Sequence, residues 1–301
     1  MRILIAGATG LVGTALGEEL RADGHAVWQL VRPGGTARAG DVRWDPVSGS
    51  VDVAAMEGAD VVVCLSGASI GDGRWTLERK KVLRSSRVDA TRVLVESLGQ
   101  MKRKPRLFVG ASAIGYYGDR GDEILTESST AGNDFLALLA RDWEAEATRA
   151  ESSGVRTVIL RFGVILSAKG GALPRMLTPF KLGAGGRLGS GKQWMSWVAL
   201  EDVVGIIRAA IANEGIKGTV NVVAPNPVRN AEFTRVLASV LHRPAIFPAP
   251  AFVLRMALGE MADGLLLSSQ RVRPERILAA GYNYRMTDLD AALREILGGK
   301  G

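Results

Sequence analysis

Residues 2–13 read Arg-Ile-Leu-Ile-Ala-Gly7-Ala-Thr9-Gly10-Leu11-Val12-Gly13, and no other stretch limits the possible folds as tightly. Ile3 to Ala6 has the length and branching of a buried parallel strand. Three glycines follow at a spacing of three. Leu11, Leu16 and Leu20 then recur at roughly helical spacing, with Glu18, Glu19 and Arg21 around them. The order is strand, glycine turn, helix, which is what a dinucleotide pyrophosphate requires. Glycines let the backbone turn tightly and let phosphates approach, while the helix N-terminus offers free N–H groups and a partial positive charge. Such glycines also occur in turns of other α/β proteins. Their place between an N-terminal strand and a helix is what makes the motif specific.

The 301 residues suffice for one large domain or two, with a sizeable core. The single cysteine, Cys64, excludes a disulfide framework and a multi-thiolate metal site. His25 and His242 lie too far apart in sequence to suggest histidine-based metal chemistry. No basic-plus-apolar leader and no apolar stretch of membrane-spanning length is seen, so a cytoplasmic protein without a membrane partner is expected. The net charge is +7, and much of the excess lies between Arg74 and Arg92. Trp75 is the only aromatic in that run and no nucleic-acid motif is present, so a solvated helix face is expected rather than a nucleic-acid surface.

A second strand is expected over Ala26–Val31, ending at Arg32. An acid at this distance from the glycine turn would bind a ribose 2′-hydroxyl and favour NAD(H). Arg32 stands there instead, and a guanidinium makes paired hydrogen bonds to phosphate. NADP(H) is therefore expected over NAD(H), the alternative being a surface arginine at a strand end. Asp60 to Leu65 reads as a buried strand ending in Ser66-Gly67-Ala68, small residues against which a nicotinamide ribose can lie. Cys64 within it reads as core. One long helix is expected over Trp75–Leu98. A strand from Arg106 runs into Gly110-Ala-Ser112-Ala-Ile-Gly115-Tyr116-Tyr117-Gly118, a second chemically loaded place. A helix is expected from Phe135 to about Ser152, and a β-rich run over Val155–Leu166 contains Arg161. Lys169 to Lys192 is rich in glycine and proline and reads as an irregular binding loop or lid. Asn230 is expected to cap a helix, and further helices are expected over 252–261, 265–279 and 288–297. Alternating strands and helices predict a doubly wound parallel sheet, with ligands at the strands' carboxyl ends.

The run Gly7-Ala8-Thr9-Gly10-Leu11-Val12-Gly13 resembles the glycine motif of extended short-chain dehydrogenases/reductases, the epimerase/dehydratase branch. Leu65-Ser66-Gly67-Ala68, Arg74-Trp75-Thr76, Ser86-Arg87, residues 112–118, Asp142-Trp143-Glu144, Leu160 to Val164, Gly189-Ser190-Gly191 and Val223 to Asn226 are similar to an atypical group of that branch, the epimerase family proteins. Pro274-Glu275-Arg276, Ala280-Gly281-Tyr282 and Ala291-Ala292-Leu293 match its small C-terminal domain of unknown function. The resemblance implies an α/β, Rossmann-like doubly wound sheet over residues 1–225, a glycine-rich substrate-side loop at about 168–195, and a small, mostly helical substrate-side domain over 226–301. It implies cofactor contacts from Gly7, Thr9, Gly10, Leu11, Val12, Gly13, Val31, Arg32, Leu65, Ser66 and Gly67. Arg87 flanks the cofactor cleft, and phosphate binding and a solvent-facing position are its two readings. The wider family also offers a homodimer by analogy.

The family's catalytic group is a serine or threonine with a Tyr-x-x-x-Lys pair, in which the tyrosine is the acid/base and the lysine lowers its pKa and holds the nicotinamide ribose. Ser112 matches the serine. The pair is absent: 135–144 reads Phe-Leu-Ala-Leu-Leu-Ala-Arg-Asp-Trp-Glu. Any proton transfer then falls to Tyr116 or Tyr117, helped by Ser112, with packing beside the nicotinamide as the alternative role. Two functions follow. One is an NADP(H)-dependent epimerase or reductase acting on a hydroxyl or carbonyl compound, sugar-nucleotide-like in the family. The other is a catalytically silent NADP(H)-binding sensor or scaffold. Arg161, in a strand that should be buried, needs the substrate or an internal acid such as Glu144 as partner.

Overall fold

The structure is a computed structural model and describes residues 1–298. Its strands are β1 (Arg2–Ala6), β2 (Ala26–Val31), β3 (Val42–Asp45), β4 (Ser50–Val51), β5 (Val61–Cys64), β6 (Leu107–Ala113), β7 (Ile124–Leu125), β8 (Arg156–Phe162), β9 (Val164–Leu166), β10 (Trp194–Met195), β11 (Trp197–Ala199), β12 (Gly218–Val222), β13 (Val228–Arg229) and β14 (Arg271–Val272). Its helices are α1 (Leu11–Ala22), α2 (Val53–Met56), α3 (Leu77–Arg84), α4 (Ala90–Gln100), α5 (Phe135–Thr148), α6 (Ala172–Lys181), α7 (Leu200–Ala212), α8 (Asn230–Leu241), α9 (Ala251–Leu258), α10 (Glu260–Ala262), α11 (Glu275–Ala279) and α12 (Leu289–Ile296).

The main sheet has the order β12-β8-β6-β5-β1-β2-β3-β4, parallel except for the β3–β4 edge. Every side chain from Ile3 to Ala6 is buried because both faces of β1 are covered. Ile3 and Ile5 join one core with Leu16 and Leu20 of α1 and Ile206 and Ile207 of α7. Leu4 and Ala6 join the other with Leu94 and Leu98 of α4. The period of two along the strand thus feeds two helical layers. From β1 the chain steps outward to β2 and β3, then returns to β5 on the other side of β1. Open parallel sheets bind ligands at such a reversal, outside the carboxyl ends of the strands.

Several expected elements take a different form. The helix expected over 75–98 is continuous but carries a wide π turn, Ser85–Asp89, between α3 and α4. The stretch expected as an irregular loop holds the ten-residue helix α6. Pro174 falls in its first turn, where a missing N–H costs nothing, and Pro179 lies near its end. The single helix expected over 265–279 is instead a π turn, the strand β14 and the short helix α11. Asn230 does not cap α8. It is the first helical residue, and its side-chain oxygen accepts from the Leu188 N–H.

The C-terminal segment is tied back by one acid. Asp202, in the first turn of α7, is fully buried and accepts from the backbone N–H groups of Arg285 (2.8 Å) and Met286 (3.0 Å) and from the Tyr282 hydroxyl (3.0 Å). Asp202→Ala leaves these buried donors without an acceptor. A loss of about 2–3 kcal/mol in denaturant unfolding is expected, and a loss below about 1 kcal/mol would show that Asp202 is not what holds the segment. No helix among the described residues is long and apolar enough to cross a membrane. No group of three or more His, Cys, Asp or Glu among them is placed to hold a metal ion.

Candidate functional site

The glycine turn sits at the sheet's reversal point. Gly10 caps α1 without a side-chain hydrogen bond, which leaves the first amides of the helix open. Gly7 has φ +80°, and a Cβ on it would lie 2.8 Å from the Leu65 carbonyl group at the end of β5. A Cβ on Gly13 would lie 2.3 Å from the Gly7 carbonyl oxygen. These glycines therefore allow two close backbone approaches: α1 against the turn, and the β1 loop against the β5 loop. Val12 and Leu11 are half-buried, Thr9 is exposed, and a Cβ on Gly171, just before α6, would lie 3.1 Å from the Leu11 side chain.

Arg32 follows β2 directly and is exposed. It makes no ion pair among the described residues, while Val31 beside it is buried. Ser66 and Gly67 continue from Leu65, and the Arg87 guanidinium covers Gly67. Arg87 lies in the π turn, not on a solvated face. Its Nη2 donates to the Ala68 carbonyl at 2.9 Å, and its guanidinium lies 5.4 Å from the Trp143 ring centroid. Burial, with Arg79 nearby, pushes its pKa down to about 10. No carboxylate pairs with it among the described residues. The sequence placed Gly7–Gly13, Arg32, residues 65–68 and residues 112–117 along one edge; Gly7, Arg32 and Leu65 follow the neighbouring parallel strands β1, β2 and β5, and Arg87 lies beside them against Gly67 and Ala68.

The catalytic candidates fall differently. Ser112, Arg161 and Asn221 are register partners across β6, β8 and β12, forming a polar row over three strands. The Ser112 hydroxyl donates to Glu144 at 2.6 Å and is buried. Arg161 donates to both oxygens of Glu144 at 2.7 Å and to the Tyr117 hydroxyl at 3.0 Å. Tyr117 has no exposed surface and donates to the Asn221 side chain at 2.7 Å. Burial pushes its phenol up, against Arg161. Burial alone would lower the Arg161 pKa, but the paired bonds it donates to the Glu144 carboxylate hold the guanidinium charged. Ser112 and Tyr117, expected at the reacting centre, are therefore occupied inside a buried network.

Tyr116 is the remaining hydroxyl of the three. It is half-buried on the 3-10 turn Ile114–Tyr117, and the Arg161 guanidinium lies 3.4 Å from its ring centroid. Glu144 is the internal acid that the sequence offered for Arg161, whereas Asn221 and Glu127, whose carboxylate accepts from the Asn221 N–H at 3.0 Å, were not among the sequence candidates. The one signal for them was an arginine inside an apolar run. Where the family places its tyrosine and lysine, the start of α5 is apolar. Phe135 stacks edge-on with Trp75 at 5.3 Å, and Leu136 packs on Gly115.

Fold and crevice together define a dinucleotide-binding α/β protein. The chain belongs to the NAD dependent epimerase/dehydratase family, whose match spans residues 3–224. A domain of unknown function, DUF1731, matches residues 249–296. The chain is 41% identical to Epimerase family protein Mb2239 of Mycobacterium bovis over 291 residues, 97% of this chain and 96% of that protein. It is 40% identical to Epimerase family protein YfhF of Bacillus subtilis over 301 residues, 99% and 98% of the two chains. The crystal structure of human epimerase family protein SDR39U1 (isoform2) with NADPH superposes with a TM-score of 0.90 at 34% identity, covering 99% and 100% of the two chains.

Proposed function

We propose that this chain binds NADP(H) in the crevice between β1 and β5 and acts as an epimerase- or reductase-like protein of the extended short-chain dehydrogenase/reductase type. The observation that carries the reading is the glycine cradle, whose approaches of 2.3–2.8 Å leave no room for a side chain and whose helix amides are uncapped. Thr9 to Gly13 would hold the pyrophosphate, Arg32 the 2′-phosphate beyond Val31, and Leu65 to Gly67 the ribose on the nicotinamide side. Arg87, a half-buried cation facing that loop, suits a phosphate. The SDR39U1 structure with NADPH supports the same choice of cofactor. A bound nicotinamide supplies a hydride donor or acceptor at C4.

In this reading Tyr116 is the group that passes a proton to or from the substrate oxygen. Ser112 and Tyr117 act behind it by fixing Glu144 and Arg161. Residues 1–225 form the cofactor unit and 226–301 the substrate-side unit. The substrate is a small hydroxyl or carbonyl compound. A catalytically silent NADP(H) sensor is the second reading, favoured by the apolar start of α5, where the Tyr-x-x-x-Lys pair is absent.

Fluorescence titration with NADPH and NADH tests the cofactor assignment. Arg32→Ala is expected to weaken NADPH binding by roughly tenfold or more, about 1.4 kcal/mol, and to leave NADH unchanged. An unaltered preference would overturn the role of Arg32. Oxidation of bound NADPH by a panel of carbonyl compounds then separates enzyme from sensor. Turnover that is lost in Tyr116→Phe supports the first, and inertness across the panel with tight NADPH binding supports the second.

A further inference from the structure

Two stretches of this basic chain carry no acid at all: Ser167–Lys192 and Phe233–Gly259. The fold lays them side by side. Phe247 N donates to the Gly185 carbonyl at 3.2 Å, Gly189 N to Ala249 at 2.8 Å and Ala249 N to Arg187 at 2.9 Å. Large apolar side chains stand out from the surface they form. Leu182, Ile246, Phe247, Phe252 and Met256 are 58–78% exposed, and α9 has no buried residue. Lys181, Arg187 and Arg243 are interspersed with them, are exposed, and make no ion pair among the described residues. The Arg255 charge on α9 is answered by Asp263 at 2.8 Å.

We propose that this face docks on an anionic lipid surface, with Phe252 and Met256 of α9 and the turn residues Ile246 and Phe247 entering the headgroup boundary and the three free cations meeting acidic headgroups. Apolar residues on a short helix, flanked by Lys and Arg with no acid between, are the pattern of attachment in the plane of a membrane. Such attachment needs no spanning helix. Charge decides against a second copy of the chain, because a twofold contact through this face would bring the cations Lys181, Arg187 and Arg243 of both copies into one interface. Shape decides against a peptide helix, which seats its anchors in a groove, whereas these side chains project. The proposal is independent of the cofactor assignment.

The test is co-sedimentation of the full chain with phosphatidylcholine vesicles, with and without phosphatidylglycerol, at low and high salt. At least roughly tenfold more protein should sediment with the anionic vesicles, falling as salt screens the charges. Phe252→Asp combined with Met256→Asp should abolish binding. Arg243→Glu should weaken it by about fivefold or more. The variants should keep the parent's unfolding midpoint. Should they not, the dependence of the unaltered chain on lipid charge and salt still decides. No binding to anionic vesicles, or equal binding to neutral ones, overturns the proposal. Displacement by polyglutamate at equal charge would assign the face to an acidic polypeptide and overturn it. A dimer in light scattering that the same substitutions disperse would assign the face to a second copy and overturn it as well.

Discussion

Replacing Arg161 by methionine is expected to cost about 3–5 kcal/mol of stability. The guanidinium and the Glu144 carboxylate are both buried and joined by two hydrogen bonds of 2.7 Å. Without Arg161, Glu144 keeps only the Ser112 hydroxyl, and a carboxylate in that position faces the full cost of desolvation. Tyr117 would lose a donor, and the Tyr116 ring would lose the cation 3.4 Å from its centroid. Urea unfolding measures the loss. The double variant Arg161→Met with Glu144→Gln should recover part of it, because the stranded charge is gone. A single-variant loss below about 1 kcal/mol, or no recovery in the double variant, would show that the network is wetter than its geometry indicates.

The second large effect is on cofactor binding. Gly13→Ala should weaken NADPH binding by at least roughly a hundredfold, about 2.7 kcal/mol. Its Cβ would lie 2.3 Å from the Gly7 carbonyl oxygen and 2.8 Å from the Ala8 Cα, both backbone atoms that cannot rotate away. The turn would have to open, moving the α1 amides from the pyrophosphate position. Gly10→Ala meets the same oxygen at 3.3 Å and should cost far less. Gly24→Ala is the control: its φ of +79° strains the backbone, but nothing lies within 4 Å, so stability should fall and NADPH affinity should not. Calorimetric titration of the three variants checks the order. Gly13→Ala binding within threefold of the parent would remove the cradle from the site.

The proposed cofactor edge rests on sequence signals that are local. A strand run, three glycines and a helix lie within twenty residues, and Arg32 marks the end of the next strand. Family motifs in 65–68 and 86–87 extended the same edge. The partners of Arg161 were only partly legible. Glu144 was legible as an internal acid for it, but nothing local shows that Ser112 and Asn221 stand in register with Arg161, or that Tyr117 closes the network. These contacts join residues 17 to 104 positions apart. Helix α6 was hidden by composition, since glycine and proline signal a loop until tertiary packing holds Leu173, Leu177 and Phe180 in the core.

By itself the sequence determined the class of sheet and the glycine turn between its first strand and first helix, because hydrophobic period and glycine spacing act over one strand or one helix at a time. The tertiary structure alone decided which hydroxyls are free. Burial and cross-strand pairing depend on residues far apart in the chain, and they turn Ser112 and Tyr117 inward and leave Tyr116 half-buried.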